Sequence, residues 1–422
     1  MARVLVVGGS LGGLMTAGML HRAGHEVQLL ERSPRSLQGR GAGIVTHDSL
    51  RSALRQAGVV VDDSLGVAVQ SRVVLDASGA AQCTWQYPQV LTSWGRLYAL
   101  LSAALPAACQ RLGAAVVSVQ QDASGVQATL ATGETVQGDV LIACDGLRSS
   151  VRGQWLPAVQ PQYAGYVAWR GVCDETVLSR HTRATLFDHF GFGLPDGEQL
   201  IGYPVAGAND RTDVGHRRWN FVWYRPAAAG AELAALMTDA DGLHHPEGIP
   251  PQLVSWRHIA AMRQAARDLL APQFAEVLEK TALPFLQPIY DLVSPQLAFG
   301  RIALLGDAAF VARPHVGMGV SKAGEDAMAL TACIAADGAT APALQRYSAV
   351  RHPAGLAVVQ RARRLGAYLQ GQAVGTDHDP EHRARRALEV MQQTAIEARE
   401  FQEARQEARQ DARQETLQAA PP

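Results

Sequence analysis

Apolar residues change their spacing in an ordered way over the first thirty positions. Val4–Val7 is an unbroken apolar run, the pattern of a strand buried on both faces. A glycine cluster follows, then Leu14, Ala17 and Leu20 recur at helical spacing, and after Gly24 a second run, Val27–Leu30, repeats the strand pattern. Strand, helix and strand in this order predict a βαβ unit opening the chain. Positions 67–87 and 115–137 alternate apolar and polar, with turns at Ala77-Ser78-Gly79, Ala123-Ser124-Gly125 and Thr132-Gly133, and Val140–Ala143 reads as another buried strand. From about Tyr163 to Arg225, short stretches rich in Tyr, Trp, Phe and Val predict a mostly antiparallel sheet. Ile302–Leu305 returns to the buried pattern, a helix is expected from about Met318 to Ala336, and the spacing after Ala343 is helical.

The end of the chain differs in kind. Glu403-Ala404-Arg405-Gln406 and the two units after it repeat every four residues, which sets acid on acid (Glu403, Glu407, Asp411, Glu415) and arginine on arginine along a helix. Such a repeat lacks the opposite-sign pairs that support an isolated helix, so a frayed or partner-dependent helix is expected there.

Length and composition narrow the class. The 422 residues suggest two to three domains, and 47% hydrophobic against 18% charged residues describes a globular chain. Lys+Arg 38 against Asp+Glu 39 leaves a net charge of −1, which argues against a nucleic-acid or anionic-membrane partner. The five cysteines lie far apart with no CxxC pair, so neither a zinc ribbon nor a disulfide framework is expected, and a reducing cytoplasm is the natural compartment. The most apolar stretch, Leu97–Val117, is interrupted by Pro106, Gln110 and Arg111 and reads as a buried helix followed by a strand rather than a membrane span. His21/His25 and His378/His382 have i, i+4 spacing, but Gly24 and Pro380 spoil the helical faces, and no metal site is expected.

The first chemistry lies in Gly8-Gly9-Ser10-Leu11-Gly12-Gly13, directly after a strand and before a helix. There a dinucleotide pyrophosphate can rest on helix N-terminal amides, although Ser10 replaces the middle glycine of G-x-G-x-x-G. Glu31 closes the second strand 18 residues beyond Gly13, where an acid can accept from both ribose hydroxyls and disfavours a 2′-phosphate. The same residues also spell Gly8-x-Ser10-x-Gly12, the nucleophile elbow of serine hydrolases. That elbow normally follows several strands, and here no earlier strand exists to supply an oxyanion hole. A tight turn without ligand is the plainer alternative.

Two later clusters carry a resemblance. Cys144-Asp145-Gly146-Leu147-Arg148-Ser149-Ser150-Val151-Arg152 follows a buried strand, and Arg301-Ile302-Ala303-Leu304-Leu305-Gly306-Asp307-Ala308-Ala309 precedes Pro314, Gly317 and Gly319. With the N-terminal glycine motif in the same order, the chain resembles the flavin-dependent aromatic hydroxylases of the para-hydroxybenzoate hydroxylase family over roughly residues 1–365. Tyr163–Gly171, Leu236–Gly242 and Arg313-Pro314-His315 resemble that family's hydroxypyridine monooxygenases. The resemblance implies an α/β fold class: a Rossmann-like FAD-binding domain interleaved with a mainly antiparallel β-sheet substrate domain, plus C-terminal helices. The expected division is 1–160 (with substrate-domain strands near 67–95), 161–295, 296–340 and 341–422.

It also implies chemistry. NADH reduces non-covalently bound FAD, the reduced flavin and O2 form a C4a-hydroperoxide, and one oxygen passes to an electron-rich ring such as 2,6-dihydroxypyridine, with hydroxynicotinate or hydroxybenzoate as alternatives. Gly8, Ser10, Leu11, Gly13, Glu31 and Arg32 are expected around the dinucleotide half of FAD. Val45, Arg40 and Arg96 are expected near the flavin, the arginines being otherwise solvated, and Asp145 and Arg152 either couple flavin to pyridine nucleotide or simply pair. Asp307 is suited to accept from the ribityl chain, or else caps the following turn. Gly317, Met318 and Gly319 can bring amides and a positive helix end to the flavin pyrimidine. No W-x-W-x-I-P segment of the kind a flavin halogenase carries occurs.

For the ring itself the candidates are His47, Tyr203 and His315. His47 follows a segment that in the family passes beside the isoalloxazine, and an imidazole titrating near neutrality can take a ring proton; otherwise it is a loop histidine. Tyr203 matches a position near substrate or is core, and His315 is either a contact or a rim histidine. Phe192, Trp169 and Trp223 either wall the ring or pack the sheet. Oligomeric state stays open, with a homodimer as the assembly considered.

Overall fold

The computed structural model describes residues 1–37, 43–367 and 380–396. Two large sheets organise them. The first has six strands in the order Ala298–Phe299, Ile302–Leu304, Val140–Ala143, Arg3–Val7, Glu26–Glu31 and Gln110–Leu112. All neighbours run parallel except the outermost pair at the Ala298 edge. Val4 faces Val27 on one side and Val140 on the other, and these strands are buried on both faces, which is why their sequence is continuous rather than alternating. The helix Leu11–Arg22 covers this sheet together with Gly319–Asp337, whose face also receives Asp48–Gln56.

The second sheet has nine strands, in the order Phe310–Val311, Phe285–Val293, Gln162–Asp174, Arg218–Pro226, Gln199–Val205, His189–Gly193, Val67–Leu75, Ala81–Ser93 and Gly43–Val45. Every pairing is antiparallel except His189–Gly193 against Val67–Leu75. Its strands therefore come from three separate stretches of chain, with the six-stranded sheet drawing on the stretches before and between them. A small meander, Val116–Gln121, Val126–Leu130 and Thr135–Gly138, accompanies the first sheet.

Alternation along the strands gives the nine-stranded sheet two different cores. Trp169, Trp219, Phe221 and Trp223 point to one face, where the helices Trp256–Leu269 and Pro272–Lys280 bury them with Met262, Phe274 and Val277. Tyr166, Phe190, Phe192, Tyr203, Val222 and Tyr224 point to the other, which Ala387, Met391 and Ala395 of the C-terminal helix Pro380–Gln393 and its continuation cover. Trp169 and Trp223 are cross-strand partners on the far face, so they do not wall a ring bound on the near one, whereas Phe192 is correctly placed to do so. The expected helix from Met318 runs Gly319–Asp337, and the Leu97–Val117 stretch resolves into the helix Trp94–Ala104 and strands from Gln110 and Val116. Among the described residues no helix is long and apolar enough to cross a membrane. The repeat at 403–415 and Arg40 lie outside the described residues.

Candidate active site

The glycine turn is shaped by close backbone approach. Gly8 has φ +103°, and a Cβ there would sit 2.5 Å from the Cys144 carbonyl oxygen; one on Gly13 would overlap the Gly8 carbonyl. Only glycine fits either place. Ser10 starts the helix Leu11–Arg22 in an extended conformation, its side chain makes no capping hydrogen bond, and the first turn holds no acid. The orphan amides from Leu11 onward are thus uncapped, a site that favours an anion. Glu31 sits beside this turn, buried, accepting from the Gly9 N–H at 2.6 Å and the Ser33 N–H at 2.8 Å. The turn and the acid predicted from sequence are therefore adjacent.

Asp307 follows the buried strand Ile302–Leu304 with its side chain open to solvent, and no hydrogen bond or ion pair among the described residues holds its carboxylate. Protein crowds it closely enough that desolvation raises its pKa above the ordinary carboxylate value, with Lys322 opposing and Asp326 adding to the shift. It does not cap the following turn: the short helix Gly306–Ala308 has no side-chain cap. Beneath it lies a network that sequence reasoning missed. Lys322 donates to the Gly306 carbonyl at 3.0 Å and pairs with Asp326, which accepts from the Gly306 N–H and from Arg351. These buried charges rigidify the Gly306–Asp307 turn. The i, i+4 spacing of Lys322 and Asp326 was visible in the sequence, but nothing there placed the pair under the turn.

A third segment, Pro314–Val316, ends at Gly317 with φ +63°, and Met318 leads into the helix Gly319–Asp337, whose first turn carries no acid. His47 reaches this helix from the other side: it is buried, its Nδ1 lies 2.9 Å from Ser321 Oγ, and its Nε2 lies 3.3 Å from the Ala395 carbonyl. Across the aromatic face, Tyr203 and Asn220 are register partners pressed against Gly43, two residues before Val45 in the edge strand. Asn220 Oδ1 accepts from the Gly43 N–H at 2.8 Å, while its Nδ2 is buried with no partner among the described residues. Burial drives the Tyr203 hydroxyl far above its ordinary pKa, so it stays a neutral donor. Asn220 was missed because a lone polar residue in a strand carries no motif.

His315 is neither on the rim nor free to move a proton. It is fully buried, with Nε2 2.8 Å from the Tyr166 hydroxyl and Nδ1 2.9 Å from Gln199 Oε1. Burial first, then the nearby Arg313 charge, pushes its pKa down to about 3. A neutral imidazole with both nitrogens engaged is a strut, and the expectation that it acts on the ring is corrected accordingly. Its neighbour Arg313 is locked onto Asp291 at 2.9 Å, which ties the loop to the nine-stranded sheet.

Three expected flavin neighbours sit elsewhere or act otherwise. Arg96 pairs with Asp210 at 2.8 Å and donates to Ser64. Asp145 accepts from the Ser150 and Val151 amides at the start of a helix, leaving Oδ1 buried without a partner, and its pKa is raised by desolvation. Arg152 donates to the carbonyls of Leu147 and Ala308 and forms no described ion pair with Asp145, so the simple pairing alternative does not hold. Arg32 and Asp145 line an open groove of about 380 Å³ with Arg148, Glu247 and Tyr290.

Comparison with known proteins follows the same lines. The family described as FAD binding domain matches residues 1–181 and 260–362, and one described as FAD binding domain-like matches 163–291. The 2,6-dihydroxypyridine 3-monooxygenase of Paenarthrobacter nicotinovorans is 31% identical over 373 residues, covering 87% of this chain and 91% of the relative. Aurachin C monooxygenase/isomerase of Stigmatella aurantiaca is 31% identical over 382 residues, covering 87% and 88%. The solved structure of 2,6-dihydroxypyridine-3-hydroxylase from Arthrobacter nicotinovorans superposes with a TM-score of 0.83 at 30% identity, covering 90% of this chain and 95% of that one.

Proposed function

The chain belongs to the FAD binding domain family and is an FAD-dependent aromatic monooxygenase, and from that premise we propose that it hydroxylates an electron-rich hydroxypyridine, 2,6-dihydroxypyridine or a close analogue, using NADH and O2. The observation that carries the ring assignment is the unpartnered Asn220 Nδ2 beside the Tyr203 hydroxyl, two neutral donors on an otherwise aromatic face. Such a pair suits a flat ring bearing anionic or carbonyl-like oxygens.

The residues fit FAD by the fit of their surroundings. The uncapped helix start at Ser10–Gly13 would hold the pyrophosphate, Glu31 the adenosine ribose, Asp307 the ribityl hydroxyls, and Gly317–Gly319 the flavin pyrimidine edge. When bound, FAD supplies electron transfer from NADH and the activation of O2. The chain's own residues do the rest. Tyr203 and Asn220 orient the ring, and Phe190, Phe192 and Tyr224 exclude water around it. His47 Nε2–H faces the Ala395 carbonyl; once a ring hydroxyl displaces that carbonyl and the imidazole carries its proton on Nδ1, donating to Ser321 Oγ, Nε2 takes the ring proton, which raises electron density at the adjacent carbon. The balance is one ring C–H, O2, NADH and a proton giving ring C–OH, NAD⁺ and water.

Five cysteines, none in a disulfide, support a reducing cytoplasm. The direct test is turnover of 2,6-dihydroxypyridine under ¹⁸O2, with 6-hydroxynicotinate and 4-hydroxybenzoate as comparison rings. One labelled oxygen per product molecule, with dihydroxypyridine preferred, is the expected result. NADH oxidation that yields no labelled product from any of the three rings would overturn the ring assignment.

A further inference from the structure

Residues 391–396 fill the open side of the aromatic face, and they are held there by more than packing. Met391 is 0% exposed and Ala395 2%. A helix end leaves carbonyls without intrahelical partners. Here Arg72 donates to the carbonyls of Met391 at 2.7 Å, Thr394 at 2.6 Å and Ala395 at 3.2 Å, and Arg361 donates to those of Ile396 at 2.8 Å and Gln393 at 3.2 Å. Two guanidinium groups from opposite sides thus take five carbonyls at one helix C-terminus, where positive charge is favoured. Arg72 is itself fully buried, clamped by Gln89 Oε1 through two bonds and stacked on Tyr87 and Phe190.

The segment ends on the reacting groups. Ala395 has φ +53°, a left-handed conformation that an alanine keeps only where its surroundings hold it. Its N–H donates to the His315 carbonyl at 2.9 Å, and its own carbonyl meets His47 Nε2. Its Cβ is so close to Gly317 that a Cβ on that glycine would come within 2.7 Å. One residue therefore touches the candidate base, the flavin-side turn and the sheet-side loop.

We propose that Met391–Ile396 is the closing wall of the ring chamber, that Met391 and Ala395 set which ring it admits, and that Arg72 and Arg361 are the positioning residues that seat it. The proposal rests on the hydroxylase reading above. A ring lying between His47 and the Tyr203–Asn220 pair has this segment on its remaining side. A ring hydroxyl that reaches His47 takes the place of the Ala395 carbonyl, so ring binding and the seating of the segment are coupled.

The test uses the full-length FAD-loaded protein, Arg361→Gln and Met391→Ala, with 2,6-dihydroxypyridine and the bicyclic 4-hydroxyquinoline as ligands. Amide exchange over 385–396, ring affinity from the flavin absorbance change, and the share of NADH oxidised to H2O2 rather than hydroxylated product are measured. In wild type, dihydroxypyridine is expected to change exchange at Ala395. Arg361→Gln should speed exchange across the segment, weaken ring binding about tenfold and divert O2 to H2O2, with flavin affinity unchanged. Met391→Ala should shift preference toward the bicyclic ring by about tenfold. Faster exchange in Arg361→Gln with ring affinity and coupling unaltered would overturn the wall, as would Met391→Ala with wild-type ring preference. A wild type that answers to neither ring removes the hydroxylase reading and the wall together, an outcome told apart because it appears before any variant is made.

Discussion

The dinucleotide cradle and the ring chamber of this protein are built by opposite means. Six consecutive residues, Gly8–Gly13, form the cradle, and steric overlap with the Cys144 and Gly8 carbonyls dictates the glycines at its two ends, Gly8 and Gly13. The chamber draws Gly43 and His47, Tyr203, Asn220, His315 and Ala395 from five places along the chain and brings them together only through strand register and helix docking. In the first region the backbone performs the function, so a substitution fails by collision. In the second, side chains perform it on a frame that is indifferent to them, so substitutions there should change specificity while the fold persists.

The largest effect should follow from breaking the cradle. Gly13→Ala places a methyl on the Gly8 carbonyl, at a cost of at least about 3 kcal/mol, and the protein should melt early and retain no flavin. Wild-type melting with full flavin occupancy would refute the collision argument. Next comes acid sensitivity at the chamber strut. His315 titrates at about 3 when folded against 6.5 ordinarily, so between those values the unfolded chain binds a proton that the folded chain does not. Its contribution is full above 6.5 and is lost as pH falls toward 3, by up to a few kcal/mol. Urea unfolding at pH 7 and pH 5 should therefore show a smaller loss in His315→Gln than in wild type.

Asp307→Ala tests the cradle's far end. Losing a charged acceptor for the ribityl hydroxyls should weaken FAD by about 1–3 kcal/mol, measured by flavin release on dilution. The smallest effects should separate the two faces of the substrate sheet. Tyr203→Phe should raise KM for the ring about tenfold with stability nearly unchanged, whereas Trp223→Phe should lower Tm and leave KM alone. If both variants change KM equally, the assignment of one face to the ring is wrong.

Much of this was legible in the chain for a physical reason. The βαβ opening, the glycine turn, Glu31 and Asp307 are local: each is a residue type that one backbone shape or one strand end requires. The division of the aromatics was not. Whether Trp169 and Trp223 wall the ring or pack the sheet stayed open because alternation shows that neighbours face opposite ways without saying which side holds the ligand. His315 read as either a substrate contact or a rim group because a Pro-His pair in a loop gives no sign of the Tyr166 and Gln199 that enclose it. Asn220 and Arg72 were invisible for the same cause, since their roles depend on partners hundreds of residues away. The C-terminal segment stood outside every motif, and only its docking on Arg72 and Arg361 reveals its position.

Anaerobic stopped-flow reduction of the bound flavin by NADH, with and without each ring, tests the central claim most directly. The account predicts that 2,6-dihydroxypyridine greatly accelerates flavin bleaching while 4-hydroxybenzoate leaves it near the ligand-free rate. Equal bleaching with every ring and with none would contradict it.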